Sequence, residues 1–122
     1  MGLVQDEIKS FKYALEGMQI AFKTQTNFKI QLTIGILTII LALLFGFSRG
    51  EWIILMFCIS LVLGAELGNT VIEHVVDFIT EEQHHRAKII KDLSAGIVLL
   101  TSIFVAIVGM FLFIPHIVLY FK

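Results

Sequence analysis

Three long apolar runs limit what this chain can become more tightly than any other feature. They cover residues 30–47, 52–79 and 94–121, and each approaches or exceeds the roughly 20 apolar residues that cross a bilayer. Inside a hydrocarbon layer every backbone N–H and C=O must be bonded within the chain, so the runs are predicted to be helices. The 122 residues are 57% hydrophobic and only 16% charged, too few charges to cover a soluble domain of this size. The second and third runs are long enough to project from the hydrocarbon into water. The expected fold is a single all-α membrane domain with three transmembrane helices.

Other classes fall away on composition. The N-terminus carries charges from Asp6 onward and has no apolar core, so it is not expected to be a cleavable signal peptide. Cys58 is the only cysteine, which leaves no internal disulfide and no thiolate zinc cluster. A formal net charge of −1 gives no basic balance that would call for nucleic acid.

The basic residues predict an orientation. With three spans, the N-terminal segment and the 80s loop share one side, which holds Lys9, Lys12, Lys23, Lys29, Arg86, Lys88 and Lys91. Only Arg49 and Lys122 belong to the other side. The positive-inside rule then places the N-terminus in the cytoplasm and the C-terminus outside. Before the first span, Ile8, Phe11, Leu15, Met18 and Phe22 recur at steps of three and four, the mark of one apolar helix face. An amphipathic helix over about residues 4–27 would lie on the membrane surface with its lysines toward headgroups, or simply pack on the bundle as an anchor.

The second apolar run ends in a polar stripe, "AELGNTVIEHVVD", residues 65–77. At about 100° per residue, Glu66, Asn69, Glu73 and Asp77 fall within an arc of about 80°, spread over about 16 Å of helix. The residues that turn away are apolar: Leu67, Val71, Ile72, Val75 and Val76. Ionisable side chains inside a bilayer are costly and are rarely there without a role. Such a stripe could pair with another helix as structural glue, could carry protons or ions, or could hold a divalent cation and a phosphate-bearing ligand at the membrane edge. Carboxylates with an amide suit Mg²⁺, which shares phosphate oxygens and keeps waters. Gly64 and Gly68 flank Glu66 as a small-residue pair suited to close helix packing.

The following loop brings the opposite charge. In "EEQHHRAKIIKDLSAG", Lys91 and Asp92 stand level with Asp77, where the third span meets the interface. A lysine there can neutralise phosphate, and an aspartate can hold a metal-bound water or orient a ribose; the plainer reading is a solvated loop with a positive flank. His84 and His85 are adjacent, diverge on a helix and have no third ligand at zinc spacing, so zinc is rejected. The sequence lacks G-x-x-x-x-G-K-[ST], G-x-G-x-x-G and H-E-x-x-H, so any phosphate chemistry here does not use a soluble nucleotide-binding motif.

The stripe and loop together resemble the signature of the small prokaryotic diacylglycerol kinase family, which includes the undecaprenol kinases of Gram-positive bacteria. The family pattern is approximately E-x-x-N-[ST]-x-I-E-x-x-V-D, then a short loop, then A-K-x-x-K-D-x-[AS]-A-G. Every fixed position is met between Glu66 and Gly96. "SFKYALEGMQIAFK" before the first span and "FIPHIVLYF" at the end extend the likeness over nearly the whole chain.

The resemblance implies a homotrimer of three-span subunits, each with a surface helix, in the bacterial inner (cell) membrane with the active site on the cytoplasmic side. It implies phosphoryl transfer from ATP, with Mg²⁺, to the primary hydroxyl of a membrane lipid. Glu66 would match the catalytic base and Glu73 a metal-binding carboxylate. Asn69, Asp77, Lys91 and Asp92 would surround the nucleotide phosphates, with Tyr13, Glu82, Gln83 and His84 also near the nucleotide. Phe28 and Gln31 are assigned with Glu66 to the lipid side. One position departs from the pattern. In "TQTNFKIQ", Gln25 stands where the family has a second metal-binding glutamate, and the missing charge predicts weaker Mg²⁺ binding there. Gln31 stands where a His or Glu is common. The "GMFLFIP" ending and the A-K-x-x-K-D loop lean toward Gram-positive members, which favours undecaprenol. The alternatives are a diacylglycerol kinase, or an impaired family member acting as a membrane scaffold; a small proton or ion carrier is the rival outside the family.

Overall fold

The structure, a computed structural model, describes residues 2–82 and 84–122. Its elements are four helices in chain order: α1 (Leu3–Thr24), α2 (Thr26–Phe45), α3 (Arg49–Ile79) and α4 (His85–Tyr120). The last three are long and apolar enough to cross a membrane. At the usual rise, the 31 residues of α3 and the 36 of α4 extend about 46 and 54 Å, well beyond a hydrocarbon layer of about 30 Å.

Local chemistry sets each boundary. The chain leaves α1 at Gln25, whose backbone is extended (φ −111°, ψ 108°), and re-enters a helix at Thr26. Thr24, in the last turn of α1, donates its hydroxyl to the Ile20 carbonyl at 2.7 Å. The first helix stops three residues short of the expected end near residue 27, and α2 begins four residues sooner than the apolar run. Gly46 ends α2 in the left-handed region (φ 68°), its N–H bonding to the Ala42 carbonyl, a conformation glycine adopts without a Cβ clash. Two residues later Ser48 opens α3 with a capping box. Its hydroxyl accepts from the Glu51 N–H at 3.2 Å, and the Glu51 carboxylate accepts from the Ser48 N–H at 3.0 Å.

The start of α4 is the largest departure from the apolar pattern. Helix begins at His85, not at residue 94, so the basic stretch expected as loop is two and a half turns of helix. His84 is the N-cap, and its Nδ1 accepts from the Arg86 N–H at 3.2 Å. Pro115 lies inside α4 and leaves the Phe111 carbonyl without its helical donor, yet the helix continues to Tyr120.

Antiparallel α3 and α4 pack together far more extensively than α3 does on α2, and α1 rests lightly on α2 and α3. A Cβ at Gly35 would meet Ile59 at 3.3 Å, so this glycine sets how closely α2 approaches α3. The dense core sits at the α2–α3 turn, where Ala42, Phe47, Leu55 and Leu112 are buried against Trp52 and Phe113. Elsewhere large apolar residues remain exposed, such as Leu44 at 75%, Phe57 at 66% and Phe111 at 77%. An apolar surface of that extent belongs against lipid or other helices.

One polar clasp closes the core end. His116 Nε2 on α4 lies 2.7 Å from Glu51 Oε2, and the imidazole stacks on Phe45 and Phe47 at 5.9 and 4.9 Å between centroids. Glu51 thus caps α3 with one oxygen and ties α4 to it with the other. Thermal unfolding in detergent should show coupling: His116→Ala and Glu51→Gln each lower the midpoint, and the double variant loses less than the sum of the two. Additive losses would mean that the contact contributes nothing of its own.

Candidate functional site

The stripe on α3 passes from a buried to an open environment. Glu66 is only 4% exposed and has no ion-pair partner among the described residues. One turn on, Asn69 donates through Nδ2 to Glu73 Oε1 at 3.3 Å. Because a carboxylate only accepts, this bond fixes which way the amide points. Asn69 Oδ1 is then a buried acceptor with no donor among the described residues. Such a group is costly and calls for a partner from outside the chain. Thr70 spends its hydroxyl on the Glu66 backbone carbonyl at 3.0 Å.

Past the stripe, the end of α3 and the start of α4 enclose an open cavity of about 670 Å³, within the size range of small-ligand sites. Asp77, Glu82, His84, Lys91 and Asp92 all line it, so five residues expected near a nucleotide converge on one space. Lys91 of α4 forms an ion pair with Asp77 of α3 across the helix pair. Lys88 pairs with Asp92 at 2.6 Å, one turn apart on α4. Both pairs are substantially exposed, so they contribute little to stability and can exchange partners with an incoming ion.

Other expected site residues lie elsewhere. Tyr13 is 65% exposed on α1. Gln25 is the extended residue between α1 and α2, and its side chain caps neither. Phe28 is buried at an apolar groove of about 750 Å³ under α1, with Phe11, Leu15, Leu63 and Leu67. Gln31 instead lines a separate small cavity of about 170 Å³ beside Thr38 and Cys58. Gln83 falls outside the described residues. No group of three His, Cys, Asp or Glu residues could hold a metal ion among the described residues.

Sequence reasoning left out Lys88, His85, Glu81 and Thr80, which also line the charged cavity. The signal for Lys88 was present as spacing, three and four residues before Lys91 and Asp92. It is readable only once that stretch is known to be helical.

A helical multi-pass membrane protein with a carboxylate stripe leading into a charged interfacial cavity is the class these features define. Residues 12–113 match the family model described as "Prokaryotic diacylglycerol kinase", and the chain belongs to that family. It is 36% identical over 107 residues to "Undecaprenol kinase" of Bacillus subtilis (strain 168), covering 88% of this chain and 87% of that protein. It is 41% identical over 107 residues to "Diacylglycerol kinase" of Synechocystis sp., covering 87% of this chain and 61% of that protein. A diacylglycerol kinase of Haemophilus influenzae is 35% identical over 101 residues, 83% of this chain and 86% of that protein. The protein is an enzyme of the lipid-kinase class.

Proposed function

We propose that the protein transfers the γ-phosphoryl group of ATP to the primary hydroxyl of a membrane lipid, undecaprenol in preference to diacylglycerol. The observation that carries this reading is the order along one face of α3: buried Glu66, then Asn69 and Glu73, then Asp77 at an open charged cavity. A lipid hydroxyl has to react at membrane depth, whereas a triphosphate has to stay in water. The stripe joins those two levels.

In the proposed step, Glu66 accepts the proton of the lipid hydroxyl as its oxygen bonds to the γ-phosphorus. The bond from that phosphorus to the β–γ bridging oxygen breaks, and ADP leaves with the electron pair. Asn69 holds Glu73 in position, and its unpartnered Oδ1 can accept a hydrogen bond from the substrate. Lys91 neutralises the phosphates, with Asp77 and Asp92 around them and Glu82, Gln83, His84 and Tyr13 near the nucleotide. Phosphoryl transfer needs mainly positioning and charge neutralisation, which a small site can supply.

The donor set fits a metal that arrives with its nucleotide. Mg²⁺ usually takes one or two carboxylates plus phosphate oxygens and waters, and the described residues offer single carboxylates without a closed cage. Glu73 would hold the ion, with the Gln25 carbonyl oxygen as a weak second ligand, and bound Mg²⁺ would neutralise the phosphate oxygens.

The preference for undecaprenol rests on the "GMFLFIP" ending and the A-K-x-x-K-D stretch. Assembly as a homotrimer would cover the exposed apolar faces, and α1 would lie at the cytoplasmic surface with its groove, Phe28 included, open to lipid tails. The N-terminus and active site would face the cytoplasm and the C-terminus would face outward, in the bacterial inner membrane. Purified protein in mixed micelles, given labelled ATP and equal amounts of the two lipids, should phosphorylate undecaprenol about tenfold more efficiently. A preference for diacylglycerol would reverse the substrate assignment.

A further inference from the structure

The walls of the interfacial cavity carry four carboxylates, Asp77, Glu81, Glu82 and Asp92, against two lysines, Lys88 and Lys91. A magnesium-bound triphosphate is itself a net anion. It would enter a space where negative groups already outnumber positive ones, and where Asp77 and Asp92 each engage a lysine. Lys91 alone leaves that imbalance standing. Lys88 and Lys91 sit three residues apart on α4, so they project from one helix face, and both line the cavity.

We propose that Lys88 is a second phosphate-binding cation of this site, releasing Asp92 and taking a phosphate oxygen when ATP enters. The proposal rests on the nucleotide reading given above. Its starting contact is an exposed helical pair, which gives the fold little stability and is easily traded for a stronger bond to phosphate. Release of Lys88 also frees the Asp92 carboxylate to face water or metal, so one movement supplies a cation and an anion together. An ammonium on a flexible stem suits this exchange, because its three donors need no fixed plane.

The test measures equilibrium binding of a non-hydrolysable ATP analogue with Mg²⁺ to the full-length protein in detergent, beside KM for ATP. Lys88→Gln should weaken analogue binding by about tenfold, the loss of one charge-assisted bond. The loss should appear in KM more than in kcat, and the salt dependence of binding should become shallower. Lys88→Arg should restore most of the affinity, and thermal midpoints should stay close to wild type. Lys91→Gln serves as the control. If it weakens binding and Lys88→Gln leaves affinity within about twofold, the role of Lys88 is refuted and the cavity assignment stands. If neither change alters affinity, the nucleotide reading of the cavity falls and this inference with it.

Discussion

Glu66→Gln is expected to lower lipid phosphorylation by roughly two to four orders of magnitude, the range a positioned general base supplies. The change keeps side-chain shape and removes only the proton-accepting charge. Glu66 is buried at 4% exposure and forms no ion pair among the described residues, so the amide breaks no existing bridge. Burial makes a neutral group easier to hold than a charged one, and the variant should therefore be at least as stable as the wild type. KM for ATP should change little, since the nucleotide sits further along α3. Near-normal turnover in this variant would remove Glu66 from the chemistry.

The second large effect concerns the metal. Glu73 is the one stripe carboxylate with a side-chain hydrogen bond from its own helix, accepting from Asn69. Glu73→Gln should reduce activity at fixed Mg²⁺ by at least 10- to 100-fold, as for lost groups around other metal sites. Gln25→Glu should act in the opposite direction, lowering the Mg²⁺ needed for half-maximal rate severalfold and raising turnover. The fold should accept it, because residue 25 is a non-helical position just before α2 and a negative charge is favourable at a helix N-terminus. A titration of rate against Mg²⁺ for the two variants decides the matter. An unchanged Mg²⁺ dependence in Gln25→Glu would mean that Asp77, Asp92 or the phosphates complete the coordination.

Much of this arrangement was legible in the sequence, for physical reasons. Long apolar runs leave few alternatives in a bilayer, and the 3.6-residue period places Glu66, Asn69, Glu73 and Asp77 on one face without any tertiary information. Hydropathy misjudged the ends. It marks where lipid contact stops, and α4 continues as polar helix for nine residues beyond that point, back to His85. Reading that stretch as loop hid the alignment of Lys88 with Lys91 and Asp92. The break at Gln25 is one residue of extended backbone, which periodicity does not register. The Glu51–His116 clasp joins residues 65 apart; the S-x-x-E spacing marks Glu51 as a helix cap, but nothing local marks it as the partner of His116. The pairing of Lys91 with Asp77 was foreseeable in level, though not in partner, because it depends on how α3 and α4 cross.

The central claim, transfer of phosphate from ATP to a lipid hydroxyl, is tested most directly by following both products of the purified protein in lipid micelles. With undecaprenol present, ADP and a lipid monophosphate should appear in equal amounts, and both should fall by at least about a hundredfold in Glu66→Gln. ADP formed without lipid phosphate, or no lipid phosphate from undecaprenol or diacylglycerol at any Mg²⁺ concentration, would contradict the account.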